Sequence, residues 1–174
     1  LGYLAVTGRP QRRETLAALL WPEADEVHAR SALRRTLSAL KQGLDGAGVV
    51  VGRDELALVE GDGVRSDVQT LLTGLSSEDL DEAAQAADLW RGELLEGFSL
   101  RDSPDFDEWQ RREAERLRRV LGAASERLVE GFLAAGRLEE ALEHGERWLR
   151  LDPLHEPAHR ALMRVHAESG DRAS

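Results

Sequence analysis

DEVHARSALRRTLSALKQGL, from Asp25 to Leu44, is the stretch on which the fold turns. Leu33, Leu37, Leu40 and Leu44 fall at i, i+4, i+7 and i+11, the apolar stripe of a helix. At about 100° per residue, Ser31, Arg34, Arg35 and Ser38 fall in an arc of about 100° away from that stripe. Arg30 and Lys41 flank the arc. A helix that packs by one face and offers Arg and Ser on another has what reading a DNA major groove requires. Periodicity by itself leaves a solvated helix face equally open.

The flanking residues narrow the choice. Arg13 to Leu20 reads as a preceding helix, with Leu16, Leu19 and Leu20 on its buried side. Pro22 ends it, and Pro22 with Glu23 forms the turn into the long helix. Leu1 to Thr7 reads as a short apolar helix stopped by Gly8 and Pro10. After the long helix, Gly43, Gly46 and Gly48 release the chain. Val49, Val50 and Val51, then Leu56, Leu58 and Val59, read as two strands around Gly52-Arg53-Asp54-Glu55. A hairpin directly after such a helix is a wing. Arg53 at its tip is placed to reach a minor groove or a phosphate, or is simply a polar turn residue. Arg12 and Arg13 stand at a helix N-terminus, where the dipole disfavours positive charge and a phosphate would relieve it.

Composition sets the outer bounds. The chain has 174 residues, no cysteine and a net charge of −10. Disulfides and Cys-based zinc sites are excluded, and a reducing cytoplasm is the expected setting. No apolar run approaches the ~18 residues of a membrane span, so no membrane is expected among the partners. The charge is unevenly spread. From Arg9 to Lys41, seven basic residues face four acidic ones; from Gln69 to Ser174, 14 basic residues face 23 acidic ones. A basic zone joined to an acidic body points to two jobs, and the local field decides where a polyanion docks.

Beyond a linker at Gly61 to Ser66, the sequence reads as helices only. Asp67 to Leu72 is short. Ser76 as N-cap, with Asp79 after it, opens a helix to Trp90. Gly92 to Pro104 is a break. Ser103 as N-cap and Pro104 as first helical residue then start a helix that runs to Ala135 and stops at Gly136. Leu138 to Leu151 and Glu156 to Ser169 follow. Leu128 and Leu162, Phe132 and His166, and Gly136 and Gly170 are each 34 residues apart, the period of tetratricopeptide (TPR) helix pairs. Leu138, Ala141 and Pro153 fit the same pattern. Leu1 in place of Met, and a second repeat that stops at Ser174, make a fragment the expectation.

The stretch LAVTGRPQRRETLAALLWPEADEVHARSALRRTLSALKQGL resembles the DNA-binding domain of SARP-type bacterial transcriptional activators, a winged helix. LWRGELLEGF (Leu89 to Phe98) and DFDEWQRREAERLR (Asp105 to Arg118) resemble the bacterial transcriptional activator domain that follows it in that family. The chain departs from the family in having no N-terminal sheet before its first helix. It also carries Ala32 and Ala39 where Asn and Arg are frequent, and Arg12 at a usual Ser or Thr cap.

The resemblance implies a mainly α fold. A winged helix-turn-helix with a small β-hairpin wing occupies 1–62, truncated at its N-terminus, and an all-α, TPR-like activator domain occupies 67–174. It implies sequence-specific binding of double-stranded DNA, contacts with RNA polymerase subunits, self-association on direct-repeat DNA, and no cofactor. The DNA-contacting candidates are Arg30, Ser31, Arg34, Arg35, Ser38, Lys41, Arg53, Arg12 and Arg13. The alternative is a TPR-like interaction module in which the winged helix is only a scaffold.

Other chemistry has weaker footing. Trp21, Trp90, Trp109 and Trp148 stand beside leucines at helical spacing, so packing outweighs base stacking. His155 and His159 are at i and i+4 without a third ligand. Asp102, Asp105, Asp107 and Glu108 cluster at a helix start, where carboxylates are stabilised without any catalytic role. No phosphate-binding glycine loop and no catalytic triad is present, so an enzyme is not expected.

Overall fold

The computed structural model describes residues 1–45, 48–59, 61 and 64–170. Gly46, residues 62 and 63 of the expected linker, the expected domain end at 62, and 171–174 at the chain's end lie outside the described residues. The chain divides into two compact units, Leu1–Thr70 with Gly92–Ala114, and Leu71–Arg91 with Glu115–Ser174.

The first unit runs α1 (Gly2–Thr7), β1 (Gln11–Arg12), α2 (Arg13–Leu20), α3 (Glu26–Gly43), β2 (Val49–Val51) and β3 (Glu55–Leu58). Asp25 caps α3, its carboxylate accepting from the His28 amide at 3.0 Å. Glu26 in the first turn and Lys41 in the last complement the helix dipole. Ala29, Leu33 and Leu37 of α3 are buried with Leu4, Leu16, Ala17 and Leu56. Leu33 and Leu37 of the leucine stripe therefore make the core face, extended by Ala29, whereas Leu40 and the C-cap Leu44 are half-buried. A further cluster joins Val6, Phe106 and Trp109, with Tyr3 against Trp109 at 4.7 Å.

The sheet has three antiparallel strands in the order β1-β3-β2. Val49 pairs with Leu58 and Val51 with Leu56; Gln11 pairs with Leu56 and Arg12 with Glu55. Two sequence expectations change here. Glu55 is in the strand rather than the turn, because its carbonyl accepts from the Gly52 amide at 2.8 Å and closes a tighter tip. Arg12 belongs to a third strand as well as preceding α2. Two polar residues carry no alternation of their own; β3 supplies the partner that makes them a strand.

In the second unit the helices pair. α4 (Asp67–Leu75) and α6 (Pro104–Ala134) run through both units, and α5 (Leu80–Ala87), α7 (Leu138–Leu151) and α8 (Glu156–Glu168) belong to the second. The core holds Leu71, Ala83, Leu121, Leu128, Val129, Phe132, Ala141, Trp148 and Val165, among others. Gly136 (φ 72) and Gly170 (φ 78), 34 residues apart, both stand in the left-handed region. At the end of α6 the Arg137 amide donates to Phe132 O at 2.8 Å and the Gly136 amide to Leu133 O at 2.9 Å, a Schellman closure.

Three boundaries differ from expectation. α4 extends to Leu75, and Ser76 donates back to Leu72 O at 2.9 Å instead of capping α5. Asp79 caps α5, accepting from the Asp81 and Glu82 amides, and α5 ends at Ala87 rather than Trp90. Ser103 precedes α6, but its hydroxyl donates to Leu19 O at 2.6 Å rather than serving the new helix. Each Ser hydroxyl had a competing carbonyl within reach, and that carbonyl won.

Candidate nucleic-acid interface

The turn between α2 and α3 lets the two helices pack on each other, and the β2–β3 hairpin follows. Between the start of α2, the outer side of α3 and the hairpin tip lies an open groove of about 960 Å³. Arg12, Arg13, Arg30, Arg34 and Arg53 line it, together with Glu14, Asp54 and Glu55. Five guanidinium groups against three carboxylates leave it positive, although the whole chain is acidic.

Backbone pairing explains the convergence. The Arg13 amide donates to Asp54 O at 2.9 Å, and Arg13 Nη1 reaches Gly52 O at 3.4 Å. The hairpin tip is thus held at the N-terminus of α2, which brings Arg53 to the same groove as Arg12 and Arg13. Arg30 is already engaged: its Nη2 lies 2.8 Å from Glu14 Oε1 and 2.5 Å from Glu26 Oε1. Among the described residues, Arg12, Arg34, Arg35, Lys41 and Arg53 have no ion-pair partner.

Ser31, Arg35, Ser38 and Lys41 lie outside the groove, along α3. Arg34, Arg35, Ser38 and Lys41 are exposed and Ser31 is half-buried. The first turn of α3 also presents Val27, 76% exposed, which the sequence reading passed over. Its spacing of four from Ser31 and seven from Arg34 was the available signal.

The other candidates resolve into structure. Trp109 and Trp148 are buried, and Trp21 and Trp90 pack against the cores of their units. His159 Nε2 lies 2.9 Å from Pro153 O, and the His155 ring packs on Trp148 at 5.1 Å. Asp105 and Asp107 sit in the first turn of α6, and Glu108 pairs with Arg111 and Arg112. Among the described residues, no group of three His, Asp or Glu side chains is placed to hold a metal ion. Among them also, no helix is long and apolar enough to cross a membrane.

A helix-turn-helix with a trailing hairpin, continued by paired TPR-like helices, is consistent with a winged helix joined to a helical domain. Residues 61–174 match the bacterial transcriptional activator domain. The chain belongs to that family, in keeping with a SARP-type activator. Membership implies a transcriptional-activator role, and the family is non-enzymatic. No curated protein matches the chain.

Proposed function

We propose that the chain is a sequence-specific DNA-binding transcriptional activator, with α3 in the major groove of double-stranded DNA and the β2–β3 hairpin as its wing. The convergence of Arg12, Arg13, Arg34 and Arg53 on one groove beside the exposed face of α3 carries the proposal. A helix seated in the major groove needs cations at its flanks, because phosphates border the groove on both sides. Arg34 and Arg35 have the planar fork that matches guanine O6 and N7, and Ser31 and Ser38 offer short donors beside them. Lys41, Arg12, Arg13 and Arg53 neutralise phosphates and release counterions, with Arg53 within reach of the neighbouring minor groove. Arg30 acts through Glu14 and Glu26, as a strut of the helix pair.

In this reading residues 1–62 are the DNA-binding domain and 67–174 the activator domain. The helices of the latter make the protein contacts of activation, RNA polymerase subunits among them. Copies of the chain associate on direct repeats, and the protein works in the cytoplasm.

Titration of labelled duplex at two salt concentrations tests the proposal. Affinity is expected to fall steeply with salt, and to fall again in the double variant Arg34→Ala, Arg35→Ala. Salt-independent binding, or an unchanged double variant, overturns it.

A further inference from the structure

We infer that Val27 reads the 5-methyl group of a thymine, which makes the preferred site one with a thymine under the first turn of α3. The inference rests on the DNA-binding proposal and deepens it. Val27, Ser31, Arg34, Ser38 and Lys41 follow one another at spacings of four, three, four and three. At about 100° per residue, all five lie within about 40° of Val27, on one stripe of α3. The stripe is distinct from the buried one of Ala29, Leu33 and Leu37. Val27 is 76% exposed, so the core makes no use of it.

Its place on the helix decides what it meets. Recognition helices contact base edges with their N-terminal residues. Val27 is the second residue of α3. The cation one turn on, Arg30, is held by Glu14 and Glu26, so this end presents no unpaired cation to a phosphate. Around Val27 the side chains of Asp25 and Glu26 are likewise occupied, by His28 and Arg30. Beside these occupied side chains the valine presents its pair of methyl groups to solvent. Among the major-groove edges, only thymine presents a methyl group as its distinguishing feature. Valine is branched at Cβ and stiff at χ1, so it meets that methyl with little side-chain entropy left to lose.

The test starts from a duplex selected out of a randomised pool by the whole chain. In that duplex each thymine is replaced in turn by deoxyuridine, which removes the methyl group and keeps every hydrogen-bonding group. Loss of one methyl contact is expected to weaken binding about fourfold at one position per half-site. Val27→Ala is expected to bind the thymine and deoxyuridine duplexes alike at that position, and Val27→Thr, which keeps one methyl, to retain part of the difference. Sequence-selective, salt-dependent binding that ignores every deoxyuridine overturns this inference and leaves the DNA-binding proposal standing. A deoxyuridine penalty that persists unchanged in Val27→Ala also overturns it. Failure to select any duplex overturns both.

Discussion

The Ser103 hydroxyl donates to the Leu19 carbonyl at 2.6 Å, across 84 positions of sequence. Ser103 is 1% exposed, and Leu19 lies in the last turn of α2, where carbonyls lack partners within the helix. The bond ties the residue before α6 to the end of α2 inside the first unit. Ser103→Ala should leave that carbonyl unsatisfied and cost about 1–3 kcal/mol in urea unfolding. Ser103→Thr keeps the hydroxyl and should recover part of it. A loss of under a few tenths in Ser103→Ala would mean that water serves the carbonyl equally well.

Gly145 of α7 faces Leu162 of α8 without room for a side chain. A Cβ there would stand 2.6 Å from Leu162 Cδ2 and 3.0 Å from Cγ, with Val129 behind at 3.8 Å. Overpacking of this kind costs about 1–3 kcal/mol. Gly122 of α6 is the contrasting case, since a Cβ there would meet only Trp148 Nε1, at an ordinary 3.6 Å. Thermal unfolding should therefore separate the two alanine variants in sign. Gly145→Ala melts lower, and Gly122→Ala gains about 0.5–1 kcal/mol from helix propensity.

What the sequence disclosed depended on how local the cause was. α7 is legible to its end residues because its apolar period, Gly136 before it and Pro153 after it are all near neighbours. The leucine stripe of α3 was equally legible. β1 was not, since Gln11 and Arg12 become a strand only through β3, more than 40 residues on. At the candidate site the residue types could be read, but the occupation of Arg30 could only be half read. Glu26 stands four residues before it on the same helix, whereas Glu14 comes from α2 and depends on how the two helices cross. The convergence of Arg53 with Arg12 and Arg13 is non-local in the same way, set by backbone bonds from Arg13 to the hairpin tip.

His144 gives the second unit a dependence on mildly acidic pH. The ring is buried and stacks on Phe132, centroids 5.4 Å apart. Burial, helped by the Arg147 charge, lowers its pKa from 6.5, while Glu143, Asp88 and Glu140 pull weakly the other way. The unfolded chain thus takes up a proton near the ordinary value that the folded unit does not yet take. The stability His144 contributes is full above about pH 6.5, falls as the pH drops through that value, and levels once the folded imidazole protonates. Asp25, Asp81 and Glu140 have lowered pKa values through hydrogen bonds to His28 or Arg137, so their contribution is lost only below about pH 4. His144→Phe keeps a ring against Phe132 and should flatten the melting temperature between about pH 7 and pH 5. Unchanged curvature in that window would assign the dependence to another group.

Arg30 and Arg34 lie one turn apart on α3 and should fail differently. Arg34 has no ion-pair partner among the described residues, so Arg34→Ala should cost about 1–3 kcal/mol of DNA binding, with relaxed specificity at one base position. Arg30 already compensates Glu14 and Glu26. Its removal leaves two carboxylates uncovered at the edge of the groove, where they repel phosphates. Arg30→Ala should weaken binding about two- to fivefold at low salt, and less as salt screens the carboxylates. Most of that loss should vanish when Arg30→Ala is made in a Glu14→Gln, Glu26→Gln background. Fluorescence anisotropy on the four proteins of this cycle gives the answer directly. An equal loss in both backgrounds would show that Arg30 leaves its carboxylates and meets the DNA itself.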